Sequence, residues 1–489
     1  MTARRAAAWW LAAGILVATG IVLLVAASND VQRSSAVAGD TPIRVVSAPG
    51  QDGGPVVVLA HGFSGSSAMM DPMASALARA GFVVVAPDLP GHGSNVRPLA
   101  DGALDPAIGD AVEYAVGLGG VGPVAVIGHS MGAGAVTSWA VDNPALATVA
   151  ISLPSAEDLP EDRALPANLL LLWGSAESTR FVDAALTGLQ RGYPEAVPGQ
   201  TLGDPGAGTA RRAAEIAGAE HISVIYRQQT FDEVAAWLAR GPGGPAPRGD
   251  GRLLGVVLVL IGGVLAARPL LARADVAGSA ADGPPPVGLA RCLVALAGSA
   301  VVAGLGAAAL QGLTDRVPVA VTGYLVGWFA VGAVSLGLVA QRRAAAVGRL
   351  RGLGWGALAG VVVGLAMALP ARLSWASYAL VGPRWWVLAI LLVVLGAWFW
   401  AESRVLLASR GWRRAVLLVG SRLIIVAALL GGITLLGAPS FLSLTVPLVV
   451  PILLMLAVLS GWARDPLAAG AAQSIPLALA MATTFPIVG

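Results

Sequence analysis

Lysine is missing from this sequence, so all 31 basic residues are Arg. With abundant Ala and Gly, that fits the product of a GC-rich bacterial genome. Cysteine occurs once, at Cys292 inside an apolar run, which excludes an internal disulfide. Charge is scarce as well. Only 12% of the residues are charged, 56% are hydrophobic and the mean hydropathy is +0.75, whereas soluble domains carry about 25% charged residues. The 489 residues can hold two or three domains, and they are not all soluble. A net charge of +3 gives no reason to expect a nucleic-acid partner. No His/Cys/Asp/Glu cluster has metal-ligand spacing, so neither a metal nor another cofactor is expected.

The missing charge is unevenly distributed, and that divides the chain. Residues 1–29 hold an apolar run, about Ala6 to Ala27, long enough at ~1.5 Å per residue to cross a ~30 Å hydrocarbon core. Arg4 and Arg5 precede it. A cleaved signal peptide is the alternative, with Ala26-Ala27-Ser28 as a loose cleavage site, but the run exceeds the usual h-region and reads as an uncleaved anchor. Residues 30–240 read as soluble. A Gly/Pro linker, 241–252, has no core-forming residues. From 253 to 489, apolar stretches predict about eight more spans, near 253–272, 289–311, 317–340, 353–370, 385–401, 415–436, 440–461 and 467–487. Pro447, Pro451 and Pro476 are tolerable inside a bundle.

Arginine sets the orientation. With the N-terminus inside, Arg4, Arg5, Arg268, Arg342, Arg343, Arg349, Arg351, Arg410, Arg413 and Arg414 are among those on the cytoplasmic side. The opposite loops hold Arg316, Arg372 and Arg384. Arg248 and Arg252 point the other way, beside a large domain largely exempt from the rule. The N-terminus is therefore expected in the cytoplasm and the 30–240 domain outside it. Within the spans Arg422 is the deepest ionisable residue, with Arg268, Arg291 and Glu402 near span ends. Arg422 reads as snorkelling, or as preceding a span that starts later. Trp385, Trp386, Trp398, Trp400 and Trp412 suit interface belts.

Four features follow one another in the soluble segment. The apolar strand Pro55–Ala60 runs into His61-Gly62-Phe63-Ser64-Gly65. Phe82–Ala86 is followed by Asp88-Leu89-Pro90-Gly91-His92-Gly93. Val124–Ile127 runs into Gly128-His129-Ser130-Met131-Gly132. Gly218-Ala219-Glu220-His221 precedes an amphipathic stretch with Phe231, Val234 and Leu238. Strands apolar on both faces, alternating with helical segments at 66–80 and 132–141, predict a mostly parallel α/β sheet covered on both sides.

Small residues around Ser130 allow a sharp strand-to-helix turn that exposes its hydroxyl. A serine needs an adjacent base, and the chain has four His. His61, His92 and His129 sit at turn or elbow positions and read as loop-holding residues. His221, after the last expected strand near 213–217, is the candidate base. The carboxylate is sought after the strand Asn168–Trp173: Glu177 fits, and Asp204 is the rival. Asp88 reads as shaping its own loop. The backbone N–H groups of Met131 and Phe63 are the candidate oxyanion donors.

On these motifs residues 42–240 resemble the α/β-hydrolase superfamily, through the His61-Gly62 loop, the Asp88–Gly93 loop, the Gly128–Gly132 elbow and the Glu220-His221 end. The resemblance covers less than half the chain and is nearly silent on substrate. It implies attack by Ser130, an acyl-enzyme, and hydrolysis by water activated by His221. Two departures stand out: the acid is Glu where Asp is commoner, and the stretch from it to His221 is long and rich in Gly and Pro. An Asp would occupy the Ser130 position in dehalogenase relatives. The connection before Asn168 is too short for the lid domain many relatives carry there, so the site is expected to be open, or covered by 178–205 or by the membrane half.

Three functions compete. The first is a membrane-bound serine hydrolase for an ester, thioester or amide, with a lipid or acylated envelope molecule as a reasonable substrate. An acyltransferase with the same acyl-enzyme is the second. A transporter or receptor whose hydrolase-like domain only binds ligand is the third, and a complete Ser/acid/His set weighs against it. The oligomeric state is left open.

Overall fold

The computed structural model describes residues 1–51, 53–118, 123–239, 250–274, 288–341 and 350–489. Most of the 241–252 linker, together with Arg248, Arg342, Arg343 and Arg349, lies outside them. The chain divides into a helical unit (Met1–Ile21, Gly255–Pro370, Gly382–Phe485) and a sheet unit (Val22–Leu254, Ala371–Val381, Pro486–Gly489).

After helix α1 (Ala3–Ala26), the chain runs β1 (Gln32–Ala38), β2 (Thr41–Ser47), β3 (Val56–Ala60), α2 (Asp71–Arg79), β4 (Val83–Pro87), α3 (Leu104–Gly117), β5 (Ala125–His129), α4 (Met131–Asp142), β6 (Thr148–Ile151), β7 (Leu169–Gly174), α5 (Thr179–Gly192), β8 (Thr201–Leu202), β9 (Arg211–Ile216) and α6 (Gln228–Leu238). The nine strands form one sheet in the order β1-β2-β4-β3-β5-β6-β7-β9-β8. The six strands β4, β3, β5, β6, β7 and β9 pair in parallel; β1, β2 and β8 join antiparallel. Runs such as Val56-Val57-Val58-Leu59 and Leu169-Leu170-Leu171-Leu172 are buried throughout, as β-branched and leucine-rich strands must be when helices cover both faces. The strand order reverses at β3, with β4 on one side and β5 on the other. Sites in such sheets lie beyond the carboxyl ends of the strands at that reversal.

An ionic knot closes the sheet unit. Asp71, the first residue of α2, is fully buried. It accepts from Arg33 Nε and Nη2, each at 3.0 Å, from Arg44 Nη1 at 3.0 Å, and from Arg252 Nη1. Ser75 Oγ accepts from Arg33 at 3.0 Å and Arg252 at 2.9 Å. Burial alone would raise the Asp71 carboxyl; the Arg33 hydrogen bond and the charges of Arg33, Arg252 and Arg44 outweigh it and hold it below the ordinary carboxylate range.

In the helical unit α1 is joined by α7 (Arg252–Ala274), α8 (Leu289–Ala309), the short α9 (Gln311–Thr314), α10 (Thr322–Gln341), α11 (Leu350–Ala371), α12 (Arg384–Leu407), α13 (Trp412–Leu435), α14 (Leu442–Trp462) and α15 (Pro466–Thr484). Among the described residues nine helices are long and apolar enough to cross a membrane. Close approach rests on small residues: a Cβ on Gly262 would meet the Ala13 carbonyl at 3.0 Å, and one on Gly360 the Ala471 carbonyl at 2.9 Å. Pro447, Pro451 and Pro476 all lie inside helices.

Two expectations are corrected in this unit. Arg422 does not snorkel: it is buried within α13 and donates to Glu402 Oε1 at 2.6 Å and Gln473 Oε1 at 2.5 Å, with the Phe399 ring 5.3 Å away. In hydrocarbon a guanidinium that finds an anion, an amide and a ring within the bundle has no need to reach the interface. Trp398 is not an interface residue either. It is buried 5.1 Å from the Trp328 ring, in the bundle core.

Replacing Asp71 leaves three arginines facing one another in a dry site. Asp71→Asn is expected to destabilise the sheet unit by about 3–5 kcal/mol. The sign with pH follows from the lowered carboxyl. The stabilisation is complete above the unfolded value near 3.9 and lost as pH falls through the folded one. Thermal unfolding of the full chain should show a wild-type advantage at neutral pH that closes only below about pH 4.

Candidate active site

A single residue, Ser130, separates β5 from α4. Ser130 has φ 52° and ψ −118°, a strained conformation for a residue with a side chain. Both flanking glycines are demanded by backbone. A Cβ on Gly132 would lie 2.5 Å from the His61 carbonyl and 2.7 Å from that of Ala60, and one on Gly128 would overlap the Gly132 carbonyl. Ser130 N–H donates to the Ile151 carbonyl at 2.8 Å, tying the turn to β6.

His221, Ser130 and Glu177 come together. The Ser130 hydroxyl lies 3.0 Å from His221 Nε2, and His221 Nδ1 lies 3.2 Å from Glu177 Oε1. Glu177 follows β7 in a turn closed by its N–H to the Gly174 carbonyl at 3.0 Å. Its side chain is fully buried. The imidazole is also stacked on Phe181, with centroids 4.2 Å apart. Asp204 is elsewhere: its Oδ1 accepts from Gly206 N–H at 2.8 Å and caps the 3₁₀ turn Pro205–Ala207. Of the two rival acids, Glu177 is the one that meets the histidine.

Met131 is the first residue of α4 and Phe63 lies three residues past β3; a Cβ on the adjacent Gly62 would meet Ser130 Cβ at 3.1 Å, so the turn carrying Phe63 lies against the elbow. The positive end of α4 adds to the field there.

The remaining histidines hold loops. His129 Nε2–H donates to the His221 carbonyl at 2.8 Å, fixing the loop that carries the base. His61 Nδ1–H donates to the Gly62 carbonyl at 2.8 Å and its Nε2 accepts from Leu89 N–H at 3.1 Å. His92 Nδ1–H donates to the Pro90 carbonyl at 2.8 Å. Asp88 shapes its loop by accepting from the N–H groups of Ser67 and Ser94, both at 2.8 Å. Burial pushes the His129 imidazole down to about 3, with the His221 ring adding to the shift. Burial likewise lowers His61, against smaller opposing effects of the Gly62 hydrogen bond and Asp88. Both rings are therefore uncharged at neutral pH.

Sequence reading missed Ser152. It follows β6 with φ 55°, is fully buried, and donates from Oγ to Glu177 Oε1 at 2.6 Å. Its one signal is position: a hydroxyl residue at the carboxyl end of the strand between β5 and β7. Phe181 was missed too, since nothing in sequence brings it onto His221.

His129→Gln should leave the pH midpoint of Ser130 reactivity unmoved, because an imidazole pushed to about 3 titrates nothing across the working range. Rates of labelling by a fluorophosphonate from about pH 5 to 9 would check this. A midpoint that follows the substitution would make His129 the titrating group.

Residues 55–186 match the model of the family described as the alpha/beta hydrolase fold. Similar curated proteins include an uncharacterized protein of Mycobacterium tuberculosis, 32% identical over 93 residues (19% of this chain and 27% of that one). Another is the dihydrolipoyllysine-residue acetyltransferase component of the acetoin cleaving system of Cupriavidus necator, 37% identical over 106 residues (21% and 27%). The chain spans about a quarter of the length of these relatives. Among solved structures, a predicted CIB-like hydrolase from Thermoplasma acidophilum is 20% identical, with TM-score 0.34, covering 43% of this chain and 98% of that one. A bacterial membrane phospholipase A is 16% identical, with TM-score 0.35, covering 47% and 92%. The family match spans β3 to α5, the region that holds the elbow, the His61-Gly62 loop and Glu177. The sheet unit of this chain has the alpha/beta hydrolase fold that this family model describes.

Proposed function

We propose that this chain is a membrane-bound serine hydrolase that cleaves an ester, thioester or amide outside the cytoplasm. The observation that carries the reading is the continuous relay from the Ser130 hydroxyl through His221 to Glu177, at 3.0 and 3.2 Å.

In this mechanism the Ser130 oxygen bonds to the acyl carbon as its proton passes to His221 Nε2. The carbonyl electron pair moves onto oxygen, where the Phe63 and Met131 N–H groups receive it, each such donor being worth ~3 kcal/mol in the transition state. Collapse restores the carbonyl and breaks the bond to the leaving group, which takes the proton from His221. The acyl-enzyme is opened by water, whose proton goes to His221 as its oxygen bonds to the acyl carbon. A second collapse returns that proton to Ser130 and releases the acid. Glu177 stays ionised throughout, holding the tautomer with Nδ1–H and stabilising the imidazolium. Ser152 fixes the Glu177 oxygen that does this.

Nine membrane-length helices among the described residues are compatible with a multi-pass protein. The excess of arginine in one set of loops supports a cytoplasmic N-terminus and an extracytoplasmic hydrolase unit. Its partners are then the bilayer and a small-molecule or lipid acyl substrate.

Labelling with a fluorophosphonate tests the mechanism. Wild type should react, Ser130→Ala not at all, and His221→Ala slower by on the order of 10³-fold or more. Equal labelling of Ser130→Ala and wild type would sink the reading. Glu177→Gln should keep the geometry and lower kcat by on the order of 10⁴-fold, through the wrong tautomer. For topology, protease added to intact cells should cut within 241–250; protection there would reverse the orientation.

A further inference from the structure

Within the helical unit, α8 and α10 pack antiparallel and then part. Gly306 lies against Val331, Gly332 against Ala303, and Ser335 Oγ donates to Ser299 Oγ at 3.3 Å. At the first of these pairs there is no spare room: a Cβ on Gly306 would meet Val331 Cγ1 at 2.5 Å. Nearer the start of α8 the packing opens. A Cβ on Gly298 would meet nothing within 4 Å, and a cavity of about 500 Å³ lies there. Arg291, Val294, Gly298 and Val302 line it from α8, Ser335 and Val339 from α10.

The cavity has a cation at one end and little else that is polar. Arg291 is exposed in the first turn of α8, a helix of membrane-spanning length, so its guanidinium stands at headgroup level whichever way the chain crosses. From Arg291 to Val302 the α8 wall runs about 16 Å, close to the ~15 Å that one leaflet contributes to a ~30 Å hydrocarbon core. Along that length Val294 and Val302 are exposed, while Ser299 and Ser335 bond to each other. Water does not settle in such a trough, because it needs several polar partners. An acyl chain needs none.

We propose that the trough between α8 and α10 binds one anionic phospholipid, with its phosphate on Arg291 and an acyl chain lying over Gly298. This goes beyond the hydrolase reading and rests on the multi-pass one. A guanidinium holds phosphate by charge-assisted, often bidentate hydrogen bonds, and basic pockets between spans take anionic headgroups for the same reason. The lipid fills the space where the two helices part and stabilises the bundle by mass action.

In the experiment the full chain is stripped of lipid in detergent and offered equal amounts of dioleoylphosphatidylglycerol and dioleoylphosphatidylcholine, and the bound lipid is read by native mass spectrometry. Wild type should retain the anionic lipid about fivefold over the zwitterionic one, the effect of one arginine at a charged headgroup. Arg291→Gln should abolish that preference and Arg291→Lys should keep most of it. Arg316→Gln, between α9 and α10, should leave it unchanged. Gly298→Leu places a side chain in the open space and should remove most of the bound lipid of either kind. Free sn-glycerol 3-phosphate should not displace the lipid.

Equal retention of the two lipids by wild type overturns the site, as does a preference that survives Arg291→Gln or is lost as fully in Arg291→Lys. Full retention by Gly298→Leu, or displacement by glycerol phosphate, removes the acyl-chain trough and the proposal with it. A dimer that forms in place of the lipid adducts makes the trough a protein interface and overturns the lipid. A chain that stays in solution without detergent refutes the multi-pass reading as well; one that needs detergent but shows no preference refutes the lipid site alone.

Discussion

One backbone constraint organises the catalytic edge: Ser130 is held at φ 52° between a strand and a helix. That turn brings α4 so close to the end of β3 that Gly132 lies against the carbonyls of Ala60 and His61. The elbow and the His61-Gly62 loop are therefore positioned by the same contact. His129, inside the same turn, reaches the backbone of His221 at 2.8 Å. The Ser130 turn, the His61-Gly62 loop and the His221 loop are thus set by three consecutive residues and the glycines beside them. The local strain is held in place by β5 and β6, since the Ser130 amide is bonded into the sheet.

Electrostatics then separates residues of the same type into different roles. Four histidines surround this edge, but His61 and His129 are depressed by burial and serve as neutral braces. His221 bonds to the Glu177 carboxylate instead. Glu177 directs one oxygen to both Ser152 and His221, whereas its other oxygen is buried without a hydrogen-bond partner among the described residues. In the proposed mechanism the oxygen shared by Ser152 and His221 is the acceptor for the imidazolium formed during attack. Asp71 is the opposite case. Saturated by Arg33, Arg44 and Arg252, it has no capacity left for chemistry and serves to hold segments together.

What was legible in the sequence follows from the range of the interactions involved. The strand–Gly128-His129-Ser130-Met131-Gly132–helix pattern encodes a steric requirement among neighbours, and it could be read directly. The parallel sheet was equally readable, because runs such as Val56–Leu59 have no polar face to give water. Choosing between Glu177 and Asp204 was a matter of which loop meets His221 in space, and turn composition does not encode that. Ser152 carried no signal beyond its position. Arg422 and Trp398 were misjudged for one reason. Depth along a span can be counted, but the face a residue presents depends on α12, α13 and α15 packing together, with Glu402, Gln473 and Trp328 as the partners.

The same limit applies to the domain boundary. Composition places an edge at the Gly/Pro run after residue 240, yet the compact sheet unit continues to Leu254 and takes in Ala371–Val381 and Pro486–Gly489. Arg252, beyond the linker, donates to Asp71, Ser75 and Asp250 and holds the Leu373 carbonyl as well. A chain cut at the linker would lose one of the three cations around a buried carboxylate, and both of those stretches with it. A membrane-length helix begins at Arg252 itself. The hydrolase unit is thus continuous in space but not in sequence, and its ionic closure is supplied by the residue at which the second half of the chain begins.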